Sequence, residues 1–272
     1  MAYDLAFLGA GNMAEAIARG LIGPGGFSAD RFIASGRTPE KLARFQAETG
    51  ITTTTSNVDA VKDTKAVMLG VKPQMAAGVL PGLGKFIRPD AVIISIMAGV
   101  TSETIEALLG GGKPWRIVRT MPNTPILVGQ GAVAVAPGRH ATAADVALTR
   151  SFFEPAAVVV DVTEEQIHAV TAVSGSGPAY VFYLIEQMTA AGVELGLPPE
   201  QADLLAKQTL LGAATMAKAA VEPPAELRRR VTSPNGTTHA AITKMEATGV
   251  GANVRLAMKA CYDRSVELGK GQ

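Results

Sequence analysis

Leu5-Ala6-Phe7-Leu8-Gly9-Ala10-Gly11-Asn12-Met13-Ala14 decides how the rest of the chain is read. Four apolar residues in succession, without polar alternation, suit a strand covered on both faces. They run directly into Gly9-Ala10-Gly11-Asn12-Met13-Ala14, which fits G-x-G-x-x-A, and a helical pattern follows over residues 14–21. Gly9 permits the tight turn, Gly11 lets backbone approach a pyrophosphate, and Ala14 allows close packing of helix on strand. Phosphates placed there meet unpaired amide hydrogens and the positive end of the helix dipole. A glycine-containing turn alone would say little. Between a strand and a helix it is a dinucleotide-binding fingerprint, with Gly9, Ala10, Gly11, Asn12 and Met13 as the pyrophosphate residues.

Further apolar runs repeat the strand pattern: Arg31-Phe32-Ile33-Ala34, Ala66-Val67-Met68-Leu69, Ala91-Val92-Ile93-Ile94-Ser95-Ile96, Arg116-Ile117-Val118-Arg119, Ala132-Val133-Ala134-Val135 and Ala157-Val158-Val159-Val160. Helical patterns at 39–48 and 102–109 lie between some of them, so the expected class is α/β, a doubly wound and mainly parallel Rossmann sheet. After about Thr163 the strand-like runs stop. Helical stretches follow at 165–173, 179–195, 200–220, 237–247 and 250–268, separated by Gly196-Leu197-Pro198-Pro199, Glu222-Pro223-Pro224 and Thr248-Gly249. The sequence therefore predicts a dinucleotide-binding domain over 1–163 and an all-helical domain over 164–272. Apolar residues nearly encircle the 200–220 helix, which a surface helix would not tolerate. Pairing with a second copy covers them, and a homo-oligomer is expected.

Composition narrows the partners. The 272 residues are 47% apolar and 18% charged, enough for sizeable cores, and the net charge is +1 without long runs of one sign. That balance gives no electrostatic case for nucleic acid or a membrane surface, and Arg228-Arg229-Arg230 reads as a solvated helix end. Cys261 is the only cysteine, so no internal disulfide and no cysteine metal cluster is expected. His140, His168 and His239 lack metal-ligand spacing. Asp4 and a glycine turn stand where a signal peptide would carry basic residues, and the longest apolar run, 91–100, is about half a membrane span. The expected compartment is the cytoplasm.

An NAD site usually carries an acid after its second strand. This chain has Ala34-Ser35-Gly36-Arg37-Thr38 instead. Ser35 can donate to a 2′-phosphate and Arg37 can neutralise it, which favours NADPH, with NADH as an alternative donor. The plainer reading of Arg37 is an exposed arginine opening a helix. Gly70-Val71-Lys72-Pro73 and Met97-Ala98-Gly99 follow later strands, so Val71, Lys72, Pro73, Ala98 and Gly99 are expected to line the same cleft. Asn57 is expected at a helix N-cap, near the adenosine or simply capping.

Two segments fall outside that fingerprint. Ser174-Gly175-Ser176-Gly177-Pro178 interrupts two helices with small residues and nominates Ser174 and Ser176 as ligand contacts, against a simple interhelical turn. Thr232-Ser233-Pro234-Asn235-Gly236-Thr237-Thr238 leads into a helix whose first amides could hold a small carboxylate, with a hydroxyl of Thr237 or Thr238 donating to the same substrate. An empty N-cap is the alternative. Hydride transfer is cofactor chemistry, and no histidine or lysine–tyrosine pair is arranged for carbonyl reduction. Lys72 is the one candidate cation near the nicotinamide. That scarcity favours an electrophile needing little help, such as an iminium carbon.

These residues resemble the pyrroline-5-carboxylate reductase family. The most specific match runs from Leu227 through Val231-Thr232-Ser233-Pro234-Asn235-Gly236-Thr237-Thr238 to Ala241-Ile242 and Met245-Glu246. Val71-Lys72-Pro73, Met121-Pro122-Asn123-Thr124-Pro125 and Ser174-Gly175-Ser176-Gly177-Pro178-Ala179-Tyr180 resemble family motifs in the same order. The resemblance implies reduction of L-1-pyrroline-5-carboxylate to L-proline with NAD(P)H, the last step of proline biosynthesis. It also implies an interlocked homodimer, often assembled into larger rings, with each site shared between subunits. By position it makes Thr238 the hydroxyl beside the ring nitrogen and Gly236, Thr237 and Thr238 the carboxylate loop. Glu222 lies near an acid some members use around the substrate. Arg230 replaces an asparagine that touches cofactor in certain members, and Asn235 replaces a common glycine. A reductase of a six-membered cyclic imino acid and a non-catalytic NADP-binding protein are the alternatives.

Overall fold

The computed structural model describes residues 3–110 and 112–270. Its strands are β1 (Tyr3–Leu8), β2 (Phe32–Ser35), β3 (Thr52–Thr54), β4 (Thr64–Leu69), β5 (Val92–Ser95), β6 (Arg116–Met121), β7 (Gly131–Pro137) and β8 (Ala157–Asp161). They form one sheet in the order β3-β2-β1-β4-β5-β6-β7-β8. Every neighbouring pair is parallel except β6 with β7, which are antiparallel. A short connection containing a 3-10 turn, Thr124–Val128, joins those two, too short to carry a parallel crossover.

The helices among these strands are α1 (Asn12–Ile22), α2 (Pro39–Thr49), α3 (Asn57–Val61), α4 (Ala76–Val79), α5 (Ser102–Gly110) and α6 (Ala143–Ser151). Successive strand residues point to opposite faces, so each strand feeds two cores. Leu5 and Phe7 of β1, Met68 of β4 and Ile94 of β5 join one core with Ile17, Leu21 and Phe45 from α1 and α2. Leu8, Val67, Leu69 and Ile93 join the other with Ile105, Leu109 and Trp115. Phe7 is completely buried, and Phe7→Ala would cost about 3–5 kcal/mol.

α7 (Ile167–Val170) runs into a π-helical turn, Thr171–Gly175. Then come α8 (Gly177–Glu194), α9 (Pro199–Ala219), α10 (Pro224–Arg230), α11 (Thr237–Ala247) and α12 (Val250–Lys270). The chain forms two compact units, one up to Ser176 together with the stretch from Cys261 onward, the other Gly177–Ala260. The division falls later than residue 163 because Ile167 packs with Ala134 and Ala136 of β7, keeping α7 on the sheet. The segment from Cys261 belongs to the first unit because His168 Nδ1 lies 2.9 Å from Ser265 Oγ and the His168 ring meets Tyr262 edge-on.

The second unit is helical throughout, and α8 packs along α9. Only Ala202 and Ala206 of α9 are buried, whereas Leu204, Leu205, Leu211 and Met216 are exposed. Among the described residues, no helix is long and apolar enough to cross a membrane. Nor does any group of three or more His, Cys, Asp or Glu among them have an arrangement that could hold a metal ion.

Candidate functional site

A cleft of about 510 Å³ opens at the carboxyl ends of β1, β2 and β4. Its floor is the turn after β1. Gly9 has φ +104°, and a Cβ there would lie 2.8 Å from the Gly70 carbonyl oxygen, so only glycine lets the two strand ends approach this closely. Gly11 is the N-cap of α1 and no side chain bonds into the helix start, which leaves its first amides for a ligand. These features fit a dinucleotide pyrophosphate.

At the β2 end, Ser35, Gly36, Arg37, Thr38 and Lys41 line the cleft with Asn57 opposite. Ser35 Oγ donates to Asn57 Oδ1 at 2.8 Å. Asn57 is not the cap of α3: Ser56 is, its hydroxyl accepting from the Asp59 amide, and Asn57 is free of that duty. No acid stands among these residues, and two cations do, which suits a 2′-phosphate. Lys41 is absent from the sequence reading. It lies four residues beyond Arg37 across the start of α2, a spacing that could have marked it.

Of the expected cofactor residues, Gly9, Ala10, Gly11, Ser35, Arg37, Asn57, Val71 and Lys72 line this cleft. Asn12, Met13, Pro73, Ala98 and Gly99 do not. Asn12 and Met13 open α1, and Pro73 starts a 3-10 turn. Gly99 (φ +76°) is covered by the end of α12, where a Cβ on Gly99 would lie 3.1 Å from that of Leu268. Gly70, Gln74, Met75 and Val79 line the cleft without having been singled out, apart from Gly70's place in the quoted turn.

Ser174 and Ser176 lie at the π turn rather than in an open loop, so the chain stays helical where an interruption was expected. Ser174 Oγ donates to the Val170 carbonyl at 3.2 Å, and Cys261 Sγ donates to Ser176 Oγ at 3.2 Å. Nearby, buried Arg119 pairs with Glu164 at 3.0 Å, and Glu164 also accepts from the Ser102 amide at 2.7 Å. Burial, and then the Arg119 charge, hold the His168 pKa below its ordinary value, with Glu164 opposing.

In the second unit, Gly236 is the N-cap of α11 and no side chain caps that helix. Thr237 and Thr238 occupy its first turn and both are exposed. Asn235 before them has φ +61°, the one non-glycine with positive φ among the described residues. Arg230 donates to Glu222 at 2.7 Å, which ties the end of α10 to the segment before it. The Arg228-Arg229-Arg230 run ends α10, with Glu226 accepting from Arg229 and Arg230. Those bonds, foremost Arg229, lower the Glu226 pKa to about 2.

Comparisons with known proteins agree over the whole chain. Residues 164–268 match the family model described as pyrroline-5-carboxylate reductase dimerisation, and residues 4–99 match one described as NADP oxidoreductase, coenzyme F420-dependent. A pyrroline-5-carboxylate reductase of Pseudomonas aeruginosa is 44% identical, covering 97% of this chain and 96% of its own length. One of Pisum sativum is 37% identical, over 98% and 96%. Among solved structures, a pyrroline-5-carboxylate reductase of Coxiella burnetii superposes with a TM-score of 0.90 at 36% identity, covering 98% of this chain and 99% of that one. A Plasmodium falciparum pyrroline carboxylate reductase with NADP bound has a TM-score of 0.88 at 27% identity, over 98% of each chain. The chain belongs to the pyrroline-5-carboxylate reductase family.

Proposed function

We propose that the protein reduces L-1-pyrroline-5-carboxylate to L-proline, the last step of proline biosynthesis, with NADPH as hydride donor and NADH as an alternative. Ala10, Gly11, Asn12 and Met13 offer amides to the pyrophosphate, on the turn that Gly9 shapes while its own amide donates to the Ser35 carbonyl at 3.0 Å. Arg37 and Lys41, with the amide hydrogens of Asn57, hold the adenosine 2′-phosphate, and Ser35 orients Asn57 by donating to its Oδ1 at 2.8 Å. Val71 and Lys72 border the nicotinamide half, with Pro73 following them directly; Ala98 and Gly99 lie outside the cleft lining. When bound, the cofactor supplies a hydride to the imine carbon.

On the substrate side, the loop Gly236, Thr237 and Thr238 holds the carboxylate: the Thr237 and Thr238 amides point to it, while the Gly236 amide closes the turn by donating to the Ser233 carbonyl at 3.0 Å. The Thr238 hydroxyl bonds the ring nitrogen, which gains or keeps its proton as the carbon is reduced. Ser174 and Ser176 present further hydroxyls to the ring. The observation that carries this reading is the start of α11: Gly236 leaves its first-turn amides without a side-chain cap, and Thr238 sits within that same turn.

Exposed Val181, Phe182 and Leu184 on α8, with Leu204, Leu205 and Leu211 on α9, form the contact for a second copy, giving a homodimer or a larger ring of dimers. The protein works in the cytoplasm without a nucleic-acid or membrane partner. The test follows cofactor absorbance with five- and six-membered ring imino acids. Oxidation of NADPH that depends on pyrroline-5-carboxylate, and faster than with the six-membered ring, is expected. Preference for the larger ring would reassign the substrate, and NADPH binding without turnover on either would leave a non-catalytic binder.

A further inference from the structure

We propose that Asn123 is a positioning residue, setting the π turn that carries Ser174 and Ser176. This rests on the reading above that the two serines face the substrate. Asn123 follows β6 and is only 7% exposed. Its side chain makes two bonds with opposite sense. Nδ2 donates to the Ser174 carbonyl at 3.0 Å, and Oδ1 accepts from the Ala132 amide of β7 at 2.9 Å. One amide thus ties the turn to the sheet.

The turn needs that donor for a reason legible in the chain. In a regular helix the Ser174 carbonyl would accept from the amide four residues on, and that residue is Pro178, which has no N–H. The bond that closes the π turn, from the Ser176 amide to the Thr171 carbonyl at 2.8 Å, leaves Ser174 out. Asn123 fills the gap that Pro178 creates. Gly175, next after Ser174, tightens the same joint: a Cβ there would lie 2.5 Å from Met121 Cε, so strand end and turn already touch. A π turn holds one residue more than an α turn, and each helical residue turns the chain by roughly 100°. Relaxation of this turn would therefore re-aim the Ser176 hydroxyl rather than merely loosen it.

Asn123→Asp separates the two bonds. An ionised carboxylate still accepts from Ala132 but cannot donate to Ser174, whereas a protonated carboxyl does both. Asn123→Ala removes both without burying a charge and serves if N123D does not fold. Steady-state kinetics with pyrroline-5-carboxylate and NADPH affinity by fluorescence are compared with wild type across pH. N123A is expected to lose about tenfold in kcat/KM, the effect of the missing bond to Ser174, with NADPH affinity within about twofold. N123D is expected to lose as much at alkaline pH and to regain activity relative to wild type as its carboxyl protonates. Parity of soluble N123A with wild type, an equal loss in NADPH affinity, or an N123D deficit independent of pH would overturn the assignment. Wild-type protein inert toward pyrroline-5-carboxylate would overturn the functional reading instead.

Discussion

Ser35 Oγ donates to Asn57 Oδ1 at 2.8 Å, joining the end of β2 to the start of α3 across one end of the cleft. Because Asn57 accepts through its oxygen, its two amide hydrogens remain for a ligand. Asn57→Asp keeps the bond to Ser35 and puts a negative charge where a 2′-phosphate would lie. We expect kcat/KM for NADPH to fall by at least about tenfold while that for NADH changes less than about threefold. Equal losses for both cofactors would show that Asn57 does not read the phosphate.

Thr238→Ala tests the hydroxyl assigned to the ring nitrogen. A positioned proton donor contributes at least about a hundredfold. The variant is expected to fold, bind NADPH normally and lose roughly that factor in kcat, and Thr238→Ser should keep most of it. Unchanged turnover in folded T238A would remove the hydroxyl from the mechanism.

Asn235 carries the left-handed backbone of the loop before α11 at φ +61°. Asparagine tolerates that region and glycine adopts it freely, whereas a β-branched side chain clashes there. Urea denaturation should place Asn235→Gly within about 0.5 kcal/mol of wild type and Asn235→Val about 1–2 kcal/mol below it. Equal stabilities for both would mean that the loop does not hold this conformation in solution.

His168 supplies a pH signature. Burial and the Arg119 charge lower its folded pKa below 6.5, against the opposing Glu164 charge, while Ser265 and Tyr262 flank the ring. The unfolded chain therefore takes the proton first on acidification, and the folded state loses stability as pH drops from about 6.5 toward the folded pKa. The Tm of wild type minus that of His168→Asn should decrease between about pH 8 and about pH 5. A difference constant over that range would contradict the shift.

The repetition of apolar runs made the sheet legible, and the Gly9 turn marked one wall of the cleft because strand, turn and helix are local. β3 escaped notice since Thr52, Thr53 and Thr54 form a strand without apolar residues, stabilised by pairing along β2. By residue type Asn57 suits either an N-cap or a place near the adenosine, and only the fold gives the cap to Ser56. The cover over Gly99 comes from Leu268, far along the chain, and no local pattern announces such a contact. The π turn at Thr171–Gly175 was likewise hidden: its register depends on Asn123, some fifty residues earlier, although Pro178 marked where a helical bond had to be missing.

Hydride delivery from a nicotinamide to the imine carbon is the central claim, and isotope transfer tests it directly. Proline formed by the protein from NADPH carrying deuterium at both nicotinamide C4 positions should hold one deuterium, on the ring carbon next to nitrogen that was the imine carbon. Proline without the label, or no proline at all from a folded protein that binds NADPH, would contradict the account.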